Sequence, residues 1–266
     1  ILLIDDRVPH PALGSGYPRC ANILNTLASL KFNVTLYPLQ FPREDWNASY
    51  ETLDDSIEII LDRGVLGLEE FLKDRKDFFQ CIIISRVHNM KIFEDVVKRN
   101  EQFLDNVKVI YDAEALTASR EILRASLLGQ GIRDKDQALM IKNELDKCNI
   151  ADSVVSVSEQ EAEVYSNHGI RSVHVLGHMM AANPGNNSFI NRDGLLFVGA
   201  LRDEGSPNVD SLLWFCINVL PLIERNLPKI KVYVVGELGA PSLFTIKKEN
   251  ISFLGKIKHL DEIYNQ

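Results

Sequence analysis

The sequence predicts an α/β protein built from two doubly wound parallel sheets, and three observations lead there. Short β-branched, almost continuously apolar runs recur along all 266 residues, as strands buried on both faces must read. Stretches of helical periodicity fill most gaps between them, which is the β-α-β-α order of a parallel sheet. One polar segment, Met179 to Asp193, interrupts the rhythm, and the pattern then restarts. At roughly 150 residues per domain the length also allows two domains.

Taken in order, the strand-like runs of the first part are Ile1–Asp5, Asn33–Tyr37, Ile57–Leu61, Cys81–Ser85, Lys108–Tyr111, Ser153–Val157 and Ser172–Leu176. Helical periodicity covers Arg19–Leu30, Gly67–Phe79, Ile92–Phe103, Ala115–Leu128, Lys135–Cys148 and Glu159–Asn167. The interruption contains Asn183-Pro184-Gly185-Asn186-Asn187 and reads as a linker, so a domain boundary is expected near residue 185. Beyond it come strands Leu195–Val198, Lys231–Val235 and Ile251–Leu254, with an apolar helix from Asn208. Asn208 is expected to cap that helix, and Pro221 to kink or split it. The chain opens on a strand and stops at Gln266 within a helix begun at His259. The expectation is therefore a first domain over 1–185 and a second, cut short, over 186–266.

Composition narrows the function classes. Hydrophobic residues are 45% and charged residues 25% of the chain, an ordinary globular mixture. No run approaches the ~18 to 20 apolar residues of a membrane span. Net charge is −8, which argues against a basic surface for nucleic acid. An anionic ligand would have to be held locally, by a loop or a helix N-terminus. Cys20, Cys81, Cys148 and Cys216 are far apart and show no metal or disulfide spacing, so they read as thiols of a reducing compartment. No signal segment is visible, which leads to the expectation of a cytoplasmic protein. His168, His174 and His178 have no metal-ligand spacing and read as structural or exposed.

Chemistry is expected at the carboxyl ends of the strands, where doubly wound sheets bind ligands. The first loop runs Asp5-Asp6-Arg7-Val8-Pro9-His10-Pro11-Ala12-Leu13-Gly14-Ser15-Gly16-Tyr17-Pro18-Arg19. Gly14, Ser15 and Gly16 would let the backbone approach a phosphate or a sugar. The loop is neither G-x-G-x-x-G nor a Walker A sequence. The fourth strand ends Ser85-Arg86-Val87-His88, and the fifth ends Tyr111-Asp112-Ala113-Glu114, with Arg120 and Glu121 beyond. His88 is a candidate acid or base, and Asp112 and Glu114 are candidates to orient hydroxyls. Helix capping and surface ion pairs would explain each charge singly, but not their convergence on one rim. In the second part, Gly199 to Asn208 places Arg202 beside a helix N-terminus, a candidate diphosphate cradle. Gly236 and Gly255-Lys256-Ile257 also follow strands. The Asp5-Asp6 pair further suits a receiver domain, with Asp62 and Ser85 in supporting roles. That reading fails because no lysine ends the fifth strand and the second half stays unexplained.

In this order the segments resemble the GT-B glycosyltransferases of the group 1 type (retaining, family four). The resemblance is carried by the first loop, by Val109 to Glu121, by Ile150 to Ala162 and by Gly194 to Phe215, and it spans nearly the whole chain. It implies two Rossmann-like domains across a cleft, the first on the acceptor side and the second binding a nucleotide-diphosphate sugar. Gly14, Ser15, Gly16 and Glu114 would then line the donor or substrate site. His88 and Asp112 would face the sugar or acceptor as catalytic residues. Arg202 and Asn208 would serve the diphosphate, and Gly236 and Lys256 the nucleotide. Transfer would retain configuration, with no cofactor and no obligatory metal. A sugar or glycolipid acceptor of surface polysaccharide or glycoconjugate synthesis is implied, and with it peripheral membrane association, although no basic amphipathic anchor stands out. Two departures accompany the resemblance. Thr117 stands where many relatives carry histidine after the fifth strand, and the family's Glu-x₇-Glu motif would fall past Gln266. The 266 residues alone are thus expected to bind donor weakly and turn over little. The other reading is a non-enzymatic two-lobed sugar- or nucleotide-binding protein. An epimerase is disfavoured, since it needs Y-x-x-x-K beside a G-x-x-G-x-x-G loop.

Overall fold

The computed structural model describes residues 1–13, 16–179, 185–246, 248–257 and 260–264. The chain divides into two compact units, residues 1–179 and residues 180–266.

Unit 1 is a seven-stranded sheet of β1 (Leu2–Asp5), β2 (Thr35–Pro38), β3 (Glu58–Ile59), β4 (Cys81–Ser85), β5 (Lys108–Ala113), β6 (Ser153–Ser156) and β7 (Val173–Val175). The strand order is β3-β2-β1-β4-β5-β6-β7, and every pairing is parallel. Winding proceeds one way from β1 to β3 and the other way from β4 to β7. The reversal leaves a crevice at the carboxyl ends of β1 and β4.

The apolar runs form strands because both faces are covered. Within β1, Leu2 and Ile4 enter one core with Phe71, Met90 and Phe93. Leu3 enters the other, with Cys20, Ala21 and Leu24. The covering helices are α1 (Gly16–Ser29), α2 (Trp46–Tyr50), α3 (Gly64–Asp74), α4 (Val87–Arg99), α5 (Thr117–Leu127), α6 (Asp134–Leu145) and α7 (Glu159–Asn167). The start of α5 has no side-chain cap of its own. The buried Glu144 carboxylate of α6 accepts from the N–H groups of Thr117 (2.8 Å) and Ala118 (2.5 Å) instead, and satisfies that positive helix end.

Unit 2 holds β8 (Leu195–Val198), β9 (Val232–Val235) and β10 (Ile251–Gly255) in the parallel order β10-β9-β8. Helix α8 (Pro207–Trp214) packs Val209 and Leu212 onto this sheet. The N-cap is Ser206, whose side chain accepts from Val209 N–H, and Pro207 lies in the first turn. Asn208 therefore sits inside the helix instead of capping it, because proline at the first position hands the cap to its predecessor. Pro221 lies in the first turn of a separate helix, α9 (Leu220–Glu224). A π-helical turn, Phe215–Val219, precedes it, and the Leu220 N–H reaches back to Phe215 O. A short α10 (Asp261–Tyr264) follows, while His259, the expected helix start, lies outside the described residues. The expected third strand shrinks to two paired residues at the sheet edge. No helix among the described residues is long and apolar enough to cross a membrane.

Candidate functional site

The crevice of unit 1 is organised around Arg86, the residue that follows β4. Its backbone has φ 73° and ψ 140°, a conformation that L side chains seldom adopt and that costs of order 1–3 kcal/mol. The side chain supplies the compensation. Nε donates to Asp5 Oδ1 at 2.8 Å, and the guanidinium meets the Glu114 carboxylate at 3.0 and 3.2 Å. It also lies 4.7 Å from the centroid of the Tyr17 ring, a cation–π distance. Burial works against its charge, but Asp5 and Glu114 more than offset that, and Arg86 stays protonated.

The carboxylates around it differ in environment. Asp5 is wholly buried, and burial pushes its pKa up against the charge and hydrogen bond of Arg86. For Asp6 burial acts the same way, but hydrogen bonds from His88 and Asn89 and the charges of His88 and Arg86 prevail, so its pKa is lowered. Glu114 is pushed up to about 7, chiefly by burial, with Arg86 opposing and Asp5 and Asp112 adding to the rise. A carboxyl near neutrality can exchange a proton with a bound hydroxyl.

A polar pocket of about 250 Å³ opens here, lined by Leu13, Gly16, Tyr17, Arg86, Glu114, Ala115, Arg120 and His178. Gly16 opens α1, and a Cβ on it would stand 2.5 Å from Glu114 Oε2, so glycine is what lets the carboxylate rest against this helix end. The neighbouring end of α5 is already taken by Glu144.

Of the residues singled out by sequence, unit 1 brings Gly16, His88, Asp112 and Glu114 to one rim. His88 is half exposed, with Nε2 2.6 Å from Asp6 Oδ1. Asp112 is 2% exposed and does not open to the pocket. Arg19 Nη1 donates to its Oδ2 at 2.7 Å, and Nη2 stands 2.7 Å from Oδ1 without hydrogen-bond alignment. Ser85 Oγ also donates to it at 3.1 Å. Its position makes Asp112 the anchor of Arg19, whose Nε donates to Leu176 O at 3.1 Å, and not a group that can face a reactant. Gly14 and Ser15 lie outside the described residues. Sequence reasoning quoted Arg86 only as a neighbour of His88 and passed over Tyr17. It also set His178 aside as structural or exposed, whereas that residue lines the pocket. The signal for Arg86 was a lone cation between the ends of two acidic strands.

Unit 2 has its own strand-end rim, made of backbone. A Cβ on Gly236, at φ 151°, would lie 1.8 Å from Gly199 O. Gly236 N–H donates to Gly255 O at 2.9 Å, and Gly199 N–H to Val235 O at 3.0 Å. Three glycines thus form a ledge along the ends of β8, β9 and β10. Asn208 Nδ2 donates to Ala200 O at 3.1 Å and covers Gly199. Arg202 pairs with Glu237 at 2.8 Å, both half exposed. Glu204 accepts from Ser242 N–H and Oγ–H, each at 2.6 Å, which ties the loop down. Lys256 is exposed beyond the ledge. A larger concavity of about 720 Å³ is lined by Leu196, Val198 and Leu254 together with Arg192, Asp193, Tyr233 and Tyr264. Among the described residues, no cluster of three or more His, Cys, Asp or Glu could hold a metal ion.

These features define a class of architecture: a doubly wound parallel α/β unit with a polar pocket at its switch point, followed by a second parallel α/β unit. No protein-family model and no curated protein matches the sequence. Solved structures do match by shape. A sucrose-phosphate synthase from Thermosynechococcus elongatus aligns with 99% of this chain and 72% of its own, at TM-score 0.60 and 15% identity. Anabaena HepE, solved in complex with UDP-glucose, aligns with 98% of this chain and 70% of its own, at TM-score 0.54 and 11% identity. The chain shares their fold.

Proposed function

We propose that this protein is a glycosyltransferase that moves a sugar from a nucleotide-diphosphate sugar to an acceptor with retention of configuration. The observation that carries the reading is a shared fold, over 98% of the chain, with HepE, whose structure holds UDP-glucose. That is an argument by analogy of fold, and the switch-point pocket adds chemistry to it. In this reading residues 1–185 form the acceptor side and residues 186–266 begin the donor side. Arg86 and the start of α1 face developing negative charge, and Glu114 and His88 orient acceptor hydroxyls. Arg202, once released from Glu237, pairs with the leaving diphosphate, while the Gly199–Gly236–Gly255 ledge and Lys256 admit the nucleotide. Such a site works mostly by positioning and by stabilising the leaving group. The reading assigns no metal to the step. It places the enzyme in the cytoplasm, in surface polysaccharide or glycoconjugate synthesis.

The test is release of free nucleotide diphosphate from UDP-, GDP-, ADP- and dTDP-sugars by the full-length protein, beside Arg202→Ala and Arg86→Gln. Release from one donor, reduced at least 100-fold in both variants, supports transfer. Tight nucleotide binding without release from any donor overturns it and favours a two-lobed binding protein.

A further inference from the structure

The inner wall of the unit 1 pocket satisfies its own charges, and the mouth does not. Inside, Arg86 is held by Asp5 and Glu114. At the mouth, Arg120 of α5 and His178 beyond β7 line the pocket and are exposed. Neither makes an ion pair or a side-chain hydrogen bond among the described residues, while most other arginines of unit 1 are paired. In a chain of net charge −8, a cation left over at a cavity mouth favours an anionic guest over a neutral one. The volume of about 250 Å³ is below the roughly 300–1,000 Å³ of drug-sized sites, which suits one sugar ring.

We propose that this pocket seats an acidic sugar, one bearing a phosphate or a carboxylate, with Arg120 and His178 holding the anionic group. The proposal rests on the transferase reading for calling that sugar the acceptor. A guanidinium presents paired N–H donors in the geometry that a phosphate or carboxylate accepts, and the imidazole adds another donor. With the charge held at the mouth, the rest of the ring extends inward toward Glu114 and Arg86. An anion in so small a cavity also acts on Glu114. That carboxyl faces Arg86 after β4, Asp5 on β1, Asp112 on its own strand, Arg19, Cys20 and Tyr17 on α1, and Arg120 and His178 around the pocket. Burial, with Asp5 and Asp112, already pushes its pKa up to about 7 against Arg86 and Arg19. A bound anion adds one more negative charge and raises it further. Binding therefore takes up a proton, and affinity is full below pH 7 and falls as pH rises above it.

The experiment is titration calorimetry of the full-length protein, without sugar donor, against glucose 6-phosphate, glucuronate and glucose. At least one acidic sugar should bind about tenfold more tightly than glucose, and the tighter of the two identifies the anionic group. Arg120→Gln should weaken that binding about 10- to 100-fold, the loss of charge-assisted hydrogen bonds, and His178→Gln less. Arg124→Gln, one turn along α5 and outside the pocket, should change nothing. The affinity of Glu114→Gln relative to wild type should grow about fivefold from pH 6 to pH 8, for a rise of about one unit in the Glu114 pKa on binding. Taking that ratio cancels the ligand's own ionisation. Equal binding of all three sugars, no binding at all, or equal losses from Arg120→Gln and Arg124→Gln overturns the proposal. A ratio that does not move with pH overturns the link to Glu114. Acidic-sugar binding without nucleotide release from any donor supports this seat and overturns the transferase reading, and release without that preference does the reverse.

Discussion

Replacing Arg19 by methionine tests the buried framework beneath the rim. The Arg19 side chain is 0% exposed and that of Asp112 2%. The change removes both 2.7 Å contacts to Asp112 and the 3.1 Å bond to Leu176 O. Asp112 would keep only the Ser85 hydroxyl at 3.1 Å. Breaking one side of a buried pair costs about 3–5 kcal/mol, and the deserted carbonyl adds about 1. A loss of about 4–6 kcal/mol is expected, against a typical domain stability of about 5–15 kcal/mol. With a urea slope of about 2 kcal/mol/M, the midpoint should fall by about 2–3 M. The two tryptophans make the assay clean, because Trp46 lies in unit 1 and Trp214 in unit 2. In a Trp214→Phe background, fluorescence follows unit 1 alone. Asp112→Asn should cost about 3 kcal/mol, and the double variant should recover about 2–3 kcal/mol relative to the sum. A cost under about 1 kcal/mol for Arg19→Met, or strict additivity, would refute the reasoning.

Other outcomes follow from the same geometry. Glu114 has a folded pKa of about 7, above its ordinary 4.5, so the folded state binds the extra proton and stability should fall as pH rises through that window. Glu114→Gln should flatten this slope and stabilise the protein at pH 8 by about 2–3 kcal/mol, read by urea unfolding at pH 5 and pH 8; an unchanged slope would contradict it. Gly236→Ala should abolish cooperative unfolding of unit 2 seen through Trp214, since its Cβ would overlap Gly199 O. Gly255→Ala, with nothing within 4 Å but φ 71°, should cost only about 1–2 kcal/mol. Ser206→Ala should remove the cap of α8 and cost about 1 kcal/mol in the same assay, whereas Asn208→Ala should cost less.

The parallel sheets were legible because each strand is covered on both faces, so Leu2, Leu3 and Ile4 are apolar without alternation. The rim was legible for a related reason: in a parallel sheet every strand delivers its last residues to one edge. That rule alone brought His88, Asp112 and Glu114 together. It could not tell which of them point outward. Arg19 reads as an ordinary solvated arginine in the first turns of a helix. Its burial depends on Asp112, 93 residues away, and so does the loss of Asp112 as a reactive group. Asn208 was misread for a local reason, since the Ser206-Pro207 pair already carried the cap. The strain at Arg86 is a property of backbone angles, which no residue pattern displays.

The Arg19 guanidinium also fixes an order of events during synthesis. Its partners emerge late from the ribosome: Asp112 lies 93 residues downstream and Leu176 157. Asn22, one turn along α1, likewise awaits Met179 O. Until residue 112 has left the exit tunnel, α1 cannot settle on the sheet without burying an unpaired cation. The nascent chain must therefore hold its first helix in reserve while β4 and β5 assemble, and closing that long loop should be a slow step. A chain stalled before residue 112 would present the helix bearing Arg19 to chaperones instead of to a ligand.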